Sequence, residues 1–296
     1  MALIPISANT TSVQGTSADD TFAVASGVSL SAAMAIHGAG GRNRLNFTGR
    51  LNPLYGLAFS KCSNLQLLDF STGANGATAV LDSRAREAGL QLVKGSNKAD
   101  TLNARSFGTA ALILEGQDGD DSIWSGEGPD SIKGGTGTDF IDGGNGGDTL
   151  EGGDQSDVIN GGDGDDHITG IDPLDPSRGK GCIDLLTGGI GNDSFILGDR
   201  QASYYTDGNT SSAGANDYAY IRDFSPGDTI ILKGKSSDYI LKLTYPAIYS
   251  IYQNDSIGAG CHPTAWDSKD DLIAMVQVNS NGFNLSLSNA AQFSFL

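Results

Sequence analysis

Gly116-Gln-Asp-Gly-Asp-Asp-Ser-Ile-Trp124 opens a run of nonapeptides. It continues as Ser125-Gly-Glu-Gly-Pro-Asp-Ser-Ile-Lys133, Gly134-Gly-Thr-Gly-Thr-Asp-Phe-Ile-Asp142 and Gly143-Gly-Asn-Gly-Gly-Asp-Thr-Leu-Glu151. Gly152-Gly-Asp-Gln-Ser-Asp-Val-Ile-Asn160 and Gly161-Gly-Asp-Gly-Asp-Asp-His-Ile-Thr169 complete it, and Gly188-Gly-Ile-Gly-Asn-Asp-Ser-Phe-Ile196 follows after a gap. Every copy has aspartate at position 6: Asp121, Asp130, Asp139, Asp148, Asp157, Asp166 and Asp193. Every copy also has an apolar residue at position 8: Ile123, Ile132, Ile141, Leu150, Ile159, Ile168 and Phe195. A fixed short period of this kind marks a stacked architecture, in which each unit packs on its neighbours.

The two marks have separate physical meanings. Glycines at positions 1, 2 and 4 permit backbone angles barred to residues with a Cβ and leave carbonyl oxygens exposed inside a turn. Positions 7 to 9 are long enough for a short strand, whose alternation points the position-8 side chain inward. One nonapeptide therefore predicts half a coil, a turn and then a strand, and 18 residues predict a full coil. Carbonyls and carboxylates brought together in stacked turns form an all-oxygen donor set, which suits a hard cation such as Ca²⁺.

Over residues 116–196 the chain resembles the RTX family of calcium-binding proteins. That resemblance implies an all-β fold, a right-handed parallel β-roll or β-solenoid with calcium-binding nonapeptides and a C-terminal β cap. It also implies that position-6 aspartates supply side-chain oxygens while the glycine turns supply carbonyls. The expected metal set is thus Asp121, Asp130, Asp139, Asp148, Asp157, Asp166, Asp184 and Asp193. With it come Gly119, Gly126, Gly128, Gly135, Gly137, Gly144, Gly146, Gly153, Gly162, Gly164, Gly189 and Gly191. Ser125 at position 1, Gln117 at position 2 and Gln155 at position 4 depart from the pattern. Sites on those turns are expected to be weaker.

Between the sixth and last copies, the stretch from Gly170 to Thr187 keeps the nine-residue phase, but Ser177 takes the inward position and Pro173 and Pro176 disfavour a regular strand. A surface loop over 170–181 is expected, with Asp184 and Leu186 resuming the ladder. Two rows of four turns leave three gaps each, about six Ca²⁺ ions in all.

Residues 1–115 keep a fainter rhythm. Gly15-Thr-Ser-Ala-Asp-Asp-Thr-Phe22 and Gly95-Ser-Asn-Lys-Ala-Asp-Thr-Leu102 retain the aspartate and the apolar residue but lose most glycines. Short apolar runs such as Leu65–Phe70, Ala79–Asp82, Leu90–Val93 and Ala111–Leu114 recur. They read as solenoid coils stacked through apolar side chains, with a separate β-sandwich as the alternative. Residues 197–296 contain fewer glycines and more aromatics, and Asp217-Tyr-Ala-Tyr-Ile-Arg-Asp-Phe-Ser-Pro-Gly-Asp-Thr-Ile-Ile-Leu232 resembles the strand-turn-strand that caps RTX rolls. The stretch from Lys233 through Asp271-Leu-Ile-Ala-Met-Val-Gln277 is similar to C-terminal modules of cyanobacterial RTX proteins. Three segments are expected, at 1–115, 116–196 and 197–296.

Bulk properties narrow the function classes. The chain has 42 glycines in 296 residues, about twice the usual ~7%. Its net charge of −17 opposes binding to nucleic acid, whose phosphates need Lys and Arg, and to anionic lipid. No run of about 18 apolar residues predicts a membrane span, and the N-terminal Met-Ala-Leu-Ile-Pro-Ile-Ser lacks the basic and long apolar stretches of a Sec signal. The resemblance implies type I secretion through a C-terminal signal, near the apolar Gln292-Phe-Ser-Phe-Leu296. Cys62, Cys182 and Cys261 match no metal-binding spacing and read as small hydrophobes, with an intermolecular bridge as the minor alternative.

Catalytic constellations are lacking. His37, His167 and His262 sit in no His-Glu-x-x-His context, and the chain has no Gly-x-Ser-x-Gly elbow and no phosphate loop. Asp69 and Asp82 lie on candidate strands and are weighed as groove carboxylates, with the structural role preferred. The expectation is no enzyme but an extracellular structural protein that self-assembles into fibrils or a surface layer. The alternative is a calcium-dependent adhesin or module for cell-surface polysaccharide, with an enzyme acting through residues 1–115 the weakest reading.

Overall fold

The computed structural model describes residues 2–30, 34–50, 52–176, 179–206, 217–253, 271–279 and 283–296. Ser177, Cys261 and His262 lie outside them. The chain is almost entirely β and forms two compact units, Met1–Asp148 and Thr149–Leu296.

In the first unit, successive strands alternate between two parallel sheets. One holds Ala2–Ile6, Asp20–Val24, Arg44–Gly49, Leu67–Gly73, Leu92–Lys94, Ile113–Asp118 and Ser131–Thr136. The other holds Leu54–Tyr55, Thr78–Asp82, Thr101–Ser106, Ser122–Trp124 and Phe140–Asn145. Strand register shows why the two parts of this unit differ in sequence. Ile113 pairs with Ser131 and Ser122 with Phe140, an 18-residue coil that matches two nonapeptides. Earlier coils are longer: Thr21 pairs with Arg44, Arg44 with Leu67, Leu67 with Leu92 and Leu92 with Ile113. Their turns accommodate extra residues, including the helical turn Ser83–Glu87, so they need no repeated glycine pattern.

Position-8 side chains stack in register down the interior. Leu102 pairs with Ile123 and Ile123 with Ile141, while Leu114 pairs with Ile132; all five are fully buried. Longer coils bury larger groups, among them Phe22, Phe47, Leu68 and Phe70, and Phe47 stacks on Phe70 at 4.8 Å. The early coils are therefore solenoid coils packed through apolar side chains, and the sandwich alternative is set aside.

In the second unit one sheet runs Thr149–Asp154, His167–Thr169, Ser194–Ile196, Thr229–Leu232 and Phe293–Phe295, all parallel. The other starts with Val158–Asp163, Ile183–Ile190, Tyr218–Phe224 and Asp271–Val278 in parallel, then adds Ile248–Gln253 and Tyr239–Tyr245 antiparallel. The register between Val158 and Leu185 spans 27 residues, one nonapeptide more than a regular coil. The extra length lies between Thr169 and Ile183, where the described residues form turns and bends. Leu186 takes its place on the buried ladder opposite Ile159.

Candidate calcium-binding turns

The glycine pattern is a packing requirement of the stacked turns. Gly135, Gly144 and Gly189 at position 2 have positive φ, and a Cβ on any of them would collide with the carbonyl oxygen of Gln117, Gly126 or Gly162, respectively. Gly137, Gly146 and Gly191 at position 4 stand in the same relation to the carbonyls of Gly119, Gly128 and Gly164. At position 1, a Cβ on Gly116, Gly152, Gly161 or Gly188 would occupy the place of the same repeat's position-6 carboxylate. Glycine thus serves two ends, a left-handed turn and room for oxygens to converge. The departures obey the same geometry. Gln117 and Gln155 are held at φ 88° and 77°, the left-handed region that favours glycine. Ser125 at position 1 instead donates its hydroxyl to the carbonyl of Gly143.

Every position-6 aspartate is buried. One carboxylate oxygen ties each coil to the coil before it. Asp121 Oδ1 accepts the main-chain N–H of Asp100 at 2.7 Å, Asp139 that of Asp121 at 2.8 Å and Asp148 that of Asp130 at 2.8 Å. Asp184 takes the N–H of Asp157 at 2.8 Å, and Asp193 that of Asp166 at 3.0 Å. The remaining oxygens of Asp121 and Asp193 are buried with no hydrogen-bond donor. A buried carboxylate oxygen in that condition costs free energy unless a proton or a cation compensates.

The electrostatics agree. Desolvation, with repulsion from Asp100, Asp139 and Asp120, pushes the Asp121 carboxyl up to about 8. Desolvation, then the charges of Asp228, Asp166 and Asp223, raises Asp193 to about 7, and desolvation with Asp120 raises Asp139 to about 6. Carboxylates crowded this way favour a cation among them. Among the described residues no three His, Cys, Asp or Glu side chains converge on one point. An ion here would therefore draw on turn carbonyls as well as on position-6 carboxylates, a hard all-oxygen set that fits Ca²⁺.

Several contributors were not read from the sequence. Asp228 continues the ladder, accepting the N–H of Asp193 at 3.0 Å; the Asp-Thr-Ile at 228–230 repeats the position-6-to-8 pattern and was the available signal. Asp223 accepts the N–H groups of Gly188 and Gly189 at 3.0 and 2.9 Å, closing the last nonapeptide turn. Tyr205 is fully buried at φ 58° and donates to Asp184 Oδ2 at 2.6 Å. Desolvation and the charge of Asp184 raise its phenol well above the usual range. No local motif announces it.

The two groove carboxylates are occupied structurally. Asp69 is buried, pairs with Arg44 at 3.5 Å and accepts from the Ser71 hydroxyl at 2.7 Å. Asp82 caps the helical turn, accepting the Arg84 N–H at 2.9 Å and pairing with the Arg84 guanidinium. Cys62 and Cys182 are both free thiols.

A family model described as the RTX calcium-binding nonapeptide repeat, in four copies, matches residues 115–150 and 142–170. No curated protein matches the chain. With its stacked glycine turns and buried aspartate ladder, the chain carries RTX calcium-binding nonapeptide repeats of the haemolysin type.

Proposed function

We propose that this is a secreted calcium-binding protein whose repeats fold on calcium and which serves as a structural component of an extracellular matrix, fibril or surface layer. The observation that carries the calcium-linked folding is the pair of buried, donor-less oxygens of Asp121 and Asp193. The ligands in this reading are Asp121, Asp139, Asp148, Asp157, Asp166 and Asp193 with the carbonyls of their glycine turns. Charge supports it. Residues 1–115 hold nine Lys and Arg against seven Asp and Glu, whereas 116–296 hold nine against 28. The acidic surplus thus belongs to the part that carries the repeats.

A regular 18-residue coil fully buries two large apolar side chains, worth about 1.5–3 kcal/mol each, against a backbone ordering cost of about 1–2 kcal/mol per residue. Hydrogen bonds offset part of that cost, and metal binding coupled to folding supplies more. In this reading 1–115 is a solenoid, 116–196 the calcium roll with its loop at 170–181, and 197–296 the cap. The chain leaves the cell by type I secretion and folds where calcium is abundant.

Assembly is supported by the edge strand Tyr239–Tyr245. Among the described residues it pairs on one side only, and it exposes Leu243 and Tyr245 at 58% and 60%. An open apolar strand edge is a template for pairing. Sedimentation velocity tests this: large species in millimolar calcium that dissolve on chelation are expected, and a compact monomer in calcium would contradict it.

One observation favours polysaccharide binding as the second reading. A groove of about 430 Å³ on the first unit is lined by Arg42, Arg44, Gln91, Leu67, Leu92 and Ile113. Retardation in a gel containing an acidic polysaccharide, lost in an Arg42→Ala variant, would move the assignment to an adhesin.

A further inference from the structure

Position-6 aspartates fall into two groups according to what holds the second carboxylate oxygen. In the first group the protein supplies the donor. Asp20 Oδ2 accepts the Thr16 N–H at 2.6 Å while the Thr16 hydroxyl reaches Oδ1 at 2.9 Å. Asp100 repeats this with Ser96, its N–H at 2.6 Å and its hydroxyl at 2.8 Å. Asp130 Oδ2 accepts the Gly126 N–H at 3.1 Å, and Asp184 Oδ2 accepts the Tyr205 phenol at 2.6 Å. In the second group, Asp121 and Asp193, the oxygen is buried and has no donor.

Position 2 accounts for most of the division. Gln117 and Gly189, which precede Asp121 and Asp193, have φ of 88° and 103°. Thr16, Ser96 and Gly126 are not in the left-handed region, and their N–H groups donate to the carboxylate four residues on. A β-branched residue such as Thr16 is strongly disfavoured at positive φ, so the sequence itself sets the local choice. Asp184 reaches the same result by another route. The inserted stretch ahead of it leaves room for Tyr205, whose hydroxyl sits where a Cβ on Gly170 would be.

We propose that the Asp20, Asp100, Asp130 and Asp184 turns are closed by protein donors in place of calcium, and that the ions go to turns whose position 2 is left-handed. The inference rests on the calcium reading of the repeats and makes it selective. A hydrogen-bond donor and a bound cation meet the same need of a buried carboxylate, so a turn with the first does not require the second. It follows that the coils around Thr16–Val24 and Ser96–Ser106 hold their structure without calcium and that fewer than six ions bind.

Equilibrium dialysis of the full chain with radioactive calcium, the metal alone as probe, tests the division. Asp121→Asn and Asp193→Asn are each expected to reduce the number of bound ions by at least one. Asp184→Asn and Tyr205→Phe are expected to bind no fewer than the unmodified protein. A lost ion in folded Asp184→Asn would overturn the inference, and no calcium bound by the unmodified protein would overturn the reading beneath it. Should these variants not fold, hydrogen exchange of the unmodified protein in chelator decides. Protection over 15–24 and 95–106 with fast exchange over 117–145 is expected; equally fast exchange in all three segments would overturn it.

Discussion

The main-chain N–H of Asp121 donates to Oδ1 of Asp139, 2.8 Å away and one 18-residue coil later. Each position-6 aspartate of this kind is a side-chain bridge between coils as well as a candidate ligand. Asp139→Ala leaves the Asp121 N–H buried without its acceptor, a loss of about 1–3 kcal/mol. Asp139→Asn keeps an acceptor oxygen at that place while removing the charge. Denaturant unfolding in saturating calcium should therefore show the alanine variant less stable than the asparagine variant by that margin, and equal stabilities would deny the bridge.

Steric demand separates the glycines. Gly137 has φ 135° and the Gly119 carbonyl where its Cβ would go, whereas Gly27 has φ 75° and open space around it. Gly137→Ala is expected to cost more than about 3 kcal/mol, and Gly27→Ala only about 1 kcal/mol for the left-handed backbone. Melting curves in calcium give the comparison.

Gln155 occupies a glycine position at φ 77°. Replacement by glycine removes that backbone strain, and Gln155→Gly is expected to stabilise the calcium-loaded protein by about 1 kcal/mol. A destabilised variant would mean that the glutamine side chain contributes more than its backbone costs.

These positions also show how far the sequence could be read. Asp139 and Ile141 were legible because the nine-residue period repeats the same turn and strand seven times, and register follows from period. The early coils were legible only as apolar runs, because their turns differ in length and Thr16 and Ser96 replace glycine. Tyr205 was not legible at all. Its contact with Asp184 is made across 21 residues by a fold-level coincidence, the room left by the stretch inserted after Thr169, which no local pattern encodes. The pairing of Asp69 with Arg44 was likewise hidden, since 25 residues separate them.

Acid should partly replace calcium. In the folded state without ions, Asp121, Asp193 and Asp139 titrate near 8, 7 and 6, all above the ordinary 3.8. Between those values the folded chain holds more protons than the unfolded one, so stability falls as pH rises from about 4 to 8. In chelator, β structure is therefore expected to increase as pH is lowered from 8 towards 5, until general acid unfolding intervenes. A β signal in chelator that is flat over this range would contradict it.

Far-UV circular dichroism of the full chain during a calcium titration from a chelated start tests the calcium-folding claim most directly. The expected result is a partial β signal in chelator from the apolar coils, which grows cooperatively with calcium and is not restored by equal magnesium. An unchanged, fully developed β spectrum in chelator would contradict the account.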